Sequence, residues 1–534
     1  MKTLILIALL GMFGFTAIAG SEQLLLTTPA GGNSYTYPTQ LKYIGNNKLL
    51  TVYSLMDTSN YYYGSYSISQ VAIVLSDLQN NTIFSKLVNL SNQTNYVTVL
   101  DAGVCAGGGY YLYLNALTNF DTVYYQYSTY KNILIKLDVQ GNLVWNSVIL
   151  PPAYGYGMAH VKALQDNGGN FYVGVDNAMG LSIARINSNG DFAWGRTISY
   201  DTTKNPLFDI TLTTDSGILC SGKAQNDKTV AVLNTDGSVR WSYAYGNGNY
   251  TRSYAVKQCA SGGFITGGFS GAQGTFCLTR YNSNGTMLWD KLYLPQSGSS
   301  GQIHDLVETP DGSIVAVGQS YGQDVIFRTD AQGNVIESKI FSTGGYNSYY
   351  GLPAQRVLSE GNNLIITDAG LTDYNNQTFA YFFRIDGLNR LCSAQDNPMT
   401  EYDVSNTNYT SGTLSTLIVQ SFTSDNSMPI TLSDVTVPGS MQQFCAASAI
   451  SQTPEDGSIR LYPNPATNQT TVSVPFANGN IRIVDAVGNL ISQTPIRSSE
   501  TVINTSSLSQ GLYFLQVENS DKNSARLVKK LIVR

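Results

Sequence analysis

Two aspartates hold the plainest chemical potential in this chain: Asp209 in LFDITL and Asp305 in IHDLV, the second adjoined by His304. A pair of carboxylates around one cavity could divide acid and base roles in cleaving a glycosidic bond. The chain has only two histidines, His160 and His304, and neither a G-x-S-x-G elbow nor an H-E-x-x-H pair. The competing reading is structural, because an aspartate fixed by a repeat more often serves as a hydrogen-bond acceptor. Tyrosine offers a second chemistry, recognition rather than turnover. Tyr61, Tyr62 and Tyr63, then Tyr124, Tyr125 and Tyr127, then Tyr346, Tyr349 and Tyr350 are clustered in three stretches. An apolar ring tipped by a hydroxyl suits a binding surface and can stack on sugars.

What positions these residues is a repeat. INSNGDFAW (186–194) returns as YNSNGTMLW (281–289), and LDVQGNLVW (137–145), LNTDGSVRW (233–241) and TDAQGNVIE (329–337) share the pattern. Weaker copies are SDLQNNTIF (76–84) and IDGLNRLCS (385–393). Their turn residues are Asn80, Gly141, Gly190, Gly237, Gly285, Gly333 and Asn389, spaced 61, 49, 47, 48, 48 and 56 residues apart. Gly and Asn accept positive φ cheaply, as a hairpin turn requires. Each unit carries an upstream hairpin as well, such as LVETPDGSIVAVG (306–318), so each holds four strands, A to D. Seven such sheets laid out singly would expose many edges, whereas radial packing leaves only short ones. The expected fold is therefore all-β: a seven-bladed β-propeller over residues 20–395. Trp145, Trp194, Trp241 and Trp289 on the D strands act as wedges between blades. Gln23–Thr27 reads as an orphan D strand that docks on the last blade. Asp209 and Asp305 then lie on strand A near the central channel. The tyrosines fall in B–C and D–A connections on one face.

The propeller units resemble the Gly/Asn-rich β-propeller repeats of secreted Bacteroidota proteins over roughly residues 40–390. That resemblance implies a fold and leaves function open.

The ends of the chain speak of export. Lys2, the apolar run Leu4–Phe15 and Ala17-Ile18-Ala19 form a signal peptide over residues 1–19. After a Ser/Thr/Asn-rich linker segment at 396–455, residues 456–534 read as a small Ig-like antiparallel β-sandwich. LYPNPA (461–466), Asp485 to Ile491, L-x-x-G-x-Y at 508–513 and the terminal KKLIVR resemble the type A sorting domain of the type IX secretion system. The resemblance implies the type IX machinery as partner and a secreted or cell-surface location.

Composition agrees with that location. Only 12% of the 534 residues are charged, Gly (50) and Tyr (36) are abundant, and the net charge of −6 excludes nucleic-acid binding. Of six cysteines, Cys392 and Cys445 bracket the linker and are expected to pair in an oxidising compartment. Cys105, Cys220, Cys259 and Cys277 suit buried strand positions. No cofactor is implied. No metal is expected, because LNTDGS and LDVQGN lack the spaced carboxylates of a calcium loop. The function expected is binding or adhesion to a glycan or protein through the tyrosine face. The alternative is a polysaccharide-active enzyme using Asp209 and Asp305.

Overall fold

A computed structural model describes residues 21–443 and 460–534, apart from connecting stretches of one to eleven residues, the longest being 151–161. The signal sequence lies outside the described residues. The chain divides into two compact units, Met1–Cys445 and Ala446–Arg534. Among the described residues no helix is long and apolar enough to cross a membrane.

The larger unit is all-β and propeller-like. Its described residues form seven antiparallel sheets in chain order, six built from consecutive A, B, C and D strands and the seventh taking its D strand from the N-terminus. In the fourth, for example, these are Leu207–Leu212, Ile218–Ala224, Asp227–Leu233 and Val239–Gly246. The C–D turns owe their shape to two residue types. In four of the six hairpin turns the Asp or Asn that opens the turn accepts backbone N–H groups through its side chain, as Asp138 Oδ1 does from Gln140 (2.9 Å) and Asn142 (2.8 Å). Asn80, Gly141, Gly190, Gly237, Gly285 and Gly333 then adopt positive φ, followed at once by a β-bulge. These aspartate oxygens are thus filled by their own turns.

Each sheet packs on the next. Leu75 of the first sheet shares a buried cluster with Val99 of the second, and Tyr281 of the fifth shares one with Tyr245 of the fourth. Leu41 and Leu49 of the first sheet meet Ile365 and Phe382 of the seventh. The orphan strand is where the repeat spacing puts it: Ser21–Thr28 pairs antiparallel with Thr378–Ile385 of the seventh sheet, Leu24 opposite Phe382. That pairing explains one departure from expectation. The seventh unit's turn at Asn389 is no hairpin but part of a 3-10 turn over Leu388–Arg390. Its D strand comes from the N-terminus, so nothing remains for a hairpin to join.

The larger departure concerns residues 396–455, expected as a linker. Their described part is a belt that runs back around the sheets, one short strand at a time. Gln395–Asp396 pairs with the sixth sheet, Met399–Asp403 with the fifth, Thr410–Thr413 with the fourth and Ile418–Phe422 with the third. Leu150 at the end of the second sheet donates to Thr423 O at 3.2 Å. Thr431–Asp434 then joins the first sheet, and Ser440–Gln443 closes over the N-terminal strand of the seventh. The physical reason is edge protection. A D strand left outermost would present unpaired N–H and C=O groups, and the belt satisfies part of each such edge. Basic D-strand residues clip it down: Lys86 to Asp434 (2.7 Å), Lys291 to Asp403 (3.3 Å) and Lys339 to Asp396 (2.5 Å). Cys392 and Cys445 fall outside the described residues.

The smaller unit is a β-sandwich of a three-stranded and a four-stranded sheet sharing Val472, Ile481, Leu515 and Leu531 in its core. Its motifs have structural work. Asn464 of YPNP accepts from Ile532 N (2.9 Å) and donates to Lys530 O (2.6 Å), pinning the terminal strand Leu527–Val533. Tyr513 of L-x-x-G-x-Y donates to Ser509 O at 2.9 Å.

Candidate functional site

The A strands bring one charged residue from every sheet to a common centre. In the second, third, fourth and sixth sheets it stands four residues before the A–B turn: Asp101, Lys162, Asp209 and Asp305. The first, fifth and seventh contribute Lys42, Lys257 and Arg356. In chain order the signs alternate strictly, from Lys42 to Arg356, so four cations face three carboxylates.

Ion pairs join these groups between sheets. Lys42 pairs with Asp101, Lys162 with Asp209 at 2.8 Å, and Lys257 with Asp305 at 3.2 Å. Lys162 also lies 3.9 Å from Asp305, reaching from the third sheet to the sixth. Each carboxylate uses its second oxygen on the backbone of the following sheet. Asp101 Oδ2 accepts from Ala163 N (3.0 Å), Asp209 Oδ2 from Val256 N (2.9 Å) and Asp305 Oδ2 from Val357 N (3.2 Å). Tyr111 adds a hydroxyl that reaches both Asp101 Oδ2 (3.0 Å) and Ala163 O (2.9 Å).

Burial alone would raise the carboxyl pKa values of Asp101 and Asp305, yet the charges beside them prevail. Against desolvation, Lys257, Lys162 and Arg356 hold the Asp305 carboxyl far below the usual carboxylate range. Lys42, again against desolvation, lowers the carboxyl pKa of Asp101. Asp305 therefore stays ionised and cannot release a proton as a general acid near neutrality. Sequence reasoning brought Asp209 and Asp305 to one centre, and they do share Lys162. It missed Lys42, Asp101, Lys162, Lys257 and Arg356, although counting back from each A–B turn would have exposed most of them. His304 is the extra residue of a β-bulge in the sixth sheet's A strand, buried, with Nε2 3.1 Å from Gln302 Nε2.

Four cysteines, Cys105, Cys220, Cys259 and Cys277, are buried. All are free thiols, and burial raises their pKa, to about 11 for Cys105 and about 12 for Cys259 and Cys277. They stay protonated and unreactive.

Comparison with known proteins identifies one region. Residues 460–534 match the family Por_Secre_tail, described as the secretion system C-terminal sorting domain. This tail marks the chain as type IX secretion cargo, exported to the surface or the medium. No curated protein matches the chain. Among solved structures, a protein of unknown function from Dyadobacter fermentans aligns at 10% identity and a TM-score of 0.40, over 69% of this chain and 100% of its own. PorZ of Porphyromonas gingivalis, a surface component of the type IX secretion system, aligns at 9% identity and a TM-score of 0.21, over 95% of this chain and 82% of its own. Likeness at that level says nothing about a ligand.

Of the tyrosines proposed for recognition, Tyr61 and Tyr62 lie at the far end of the first sheet's B strand, paired with Tyr66 and Ser65 across the B–C hairpin. Tyr346 pairs with Thr372, again at the B–C end, in the seventh sheet. Tyr63, Tyr124, Tyr125, Tyr127, Tyr349 and Tyr350 lie outside the described residues.

Proposed function

We propose that the chain is an exported binding or adhesion protein, a closed seven-bladed β-propeller that recognises a glycan or a protein through tyrosine-rich B–C and D–A connections. Export rests on the sorting tail. Packing of the seventh sheet on the first, with the N-terminal strand completing the seventh, supports closure. The observation that carries binding over catalysis is the state of Asp209 and Asp305. Each is committed to a lysine and to a neighbouring backbone amide, which leaves them as stitches between sheets rather than an acid–base pair. Tyr61 and Tyr346, both at B–C ends, support a recognition rim on that side.

A glycan array and a surface-protein panel, run beside a hydrolysis panel, test this reading. Saturable binding without turnover is expected, weakened about tenfold by Tyr61→Ala with Tyr62→Ala, in line with loss of an aromatic contact. Turnover abolished by Asp209→Asn would overturn it.

A further inference from the structure

We infer that the sorting domain, on the reading that it directs type IX export, docks on that machinery through the outer face of its four-stranded sheet. The partner is a protein surface that is apolar at its centre and edged by carboxylates. The sheet runs in the order Leu490–Ile496, Gly479–Val484, Gly511–Asn519 and Leu527–Val533. Side chains alternate across a strand, and Ile481, Ile483, Leu515, Val517, Leu531 and Val533 belong to the sandwich core. The residues between them face away from it. An outer face turned to water is normally polar. One row obeys, with Arg482 between Gln493 and Gln516. The next two do not. Leu490, Val484 and Phe514 stand opposite one another across three strands, and Leu512 stands opposite Ile532. Leu490 is 48% exposed and Leu512 39%, and Ile491, the extra residue of a β-bulge, is 46% exposed.

This second apolar surface adds nothing to the core, which the opposite sides of the same strands already build. An exposed apolar patch framed by polar side chains marks a protein contact. Its place in the sequence points to the export machinery as the occupant. Leu490 and Ile491 end the stretch that begins at Asp485, Leu512 lies in L-x-x-G-x-Y, and Lys530 and Ile532 lie in the terminal KKLIVR. Asn464 of YPNP holds Lys530 and Ile532 in place through their backbones. All four motifs by which the tail resembles other type IX tails therefore build or brace this one face, where machinery common to many cargoes would read it. The frame sets the partner's charge. Lys530, exposed, continues the Leu490 row opposite Phe514, and Arg482 borders the patch on the glutamine row. Carboxylates around an apolar centre complement those cations.

Photo-crosslinking tests the surface in a bacterium that carries the type IX system and expresses the full chain. Benzoylphenylalanine takes the place of Leu512 in one variant and of Val502 in the other. Val502 is 59% exposed on the outer face of the three-stranded sheet, next to the core residue Ile503. A crosslink from position 512 to a type IX component, identified by mass spectrometry, is expected, with none from position 502. Leu490→Ser with Leu512→Ser should cut the exported fraction about tenfold, and so should Lys530→Glu, the scale of losing central contacts in an interface. Val502→Ser should leave export unchanged, and melting of each purified variant separates a lost contact from a lost fold. No crosslink from position 512, one only to a second copy of the chain or to lipid, or equal crosslinks from both positions would overturn the proposal whether or not the serine variants fold. So would full export of the folded double variant. Wild-type chain exported equally by cells without the type IX translocon would overturn the sorting assignment itself, an outcome read without any variant.

Discussion

The Trp145 indole of the second sheet lies directly against Gly190 in the C–D turn of the third. A Cβ built on Gly190 would sit 2.8 Å from Trp145 Cδ2, and Trp145 Nε1 donates to Ser188 O at 3.1 Å. Trp194 meets Gly237 in the same way and donates to Thr235 O at 3.0 Å. The Gly and the Trp of the repeated nine residues are therefore two halves of one joint, each Trp resting on the next unit's Gly. Gly190→Ala should suffer twice. Positive φ (94°) costs about 1–2 kcal/mol for a residue with a Cβ, and the clash adds roughly 1–3 kcal/mol of overpacking. Gly312→Ala is the control, since φ is +81° there but no atom lies within 4 Å. Urea denaturation should find Gly190→Ala clearly the less stable of the two. Equal losses would mean that the joint contributes nothing.

This joint also shows what was readable from the sequence. Both partners recur at one spacing, and the turn's needs are local, so strands, turns and sheet order follow from a short window of residues. The charged ring is different. Its members alternate in sign, and Lys42 and Lys257 stand two residues nearer the A–B turn than Asp101, Lys162, Asp209 and Asp305, so aligning the repeats yields no consensus, and only Asp209 and Asp305 stood out. The belt was hidden more deeply. Its strands pair with edges up to hundreds of residues away, as Asp434 does with Lys86, and carry no turn signal between them. A segment rich in Ser, Thr and Asn looks like a linker until a sheet edge is present to receive it.

Hydrogen exchange can check the belt. Amides of Val419, Gln420 and Ser421 lie in a ladder with Arg196, Thr197 and Ile198, and should exchange far more slowly than those of an unstructured linker. The bracketing cysteines bear on the same point. The belt begins on the sixth sheet just after Cys392 in the chain and ends on the seventh just before Cys445. A bond between them would fasten it as a loop. Non-reducing peptide mapping is expected to recover the two cysteines together. Rapid exchange at Val419–Ser421 would return the segment to linker status.

Between the fourth and fifth sheets, Lys228 reaches Asp290 at 2.5 Å and Thr279 at 2.8 Å, with both charged side chains only 1% exposed. A buried pair of this kind is costly to break from one side, since the remaining charge is stranded. Lys228→Met should lower stability by about 3–5 kcal/mol, whereas Lys228→Met with Asp290→Leu should recover much of that loss. Calorimetric melting of both variants provides the measurement. A double variant no better than the single would show that the pair acts by more than mutual neutralisation.

The junction of the sixth and seventh sheets should make the protein sensitive to pH from the alkaline side. Asp324 and Asp368 are both buried and repel one another; desolvation raises Asp368 to about 7, and desolvation with the Asp368 charge raises Asp324 well above the ordinary range. The groups around them are Tyr381, which donates to Asp324, the Ala369 amide, which donates to Asp368 at 2.7 Å, and Arg356, whose charge favours ionised Asp368. A carboxyl whose folded pKa is raised holds its proton more tightly in the folded state. Its stabilisation is complete below the unfolded pKa of about 4 and is lost as pH rises through the folded value. Asp101 and Asp305 are depressed, so their contribution runs the other way and disappears as pH falls below about 4. Stability should therefore peak in mildly acidic buffer and decline from about pH 5 to 8. Asp324→Asn removes one of the two competing charges and should flatten that decline while leaving the acid limb in place. A melting temperature that is level between pH 5 and 8 in the wild-type chain, or equally sloped in the variant, would remove this pair from the account.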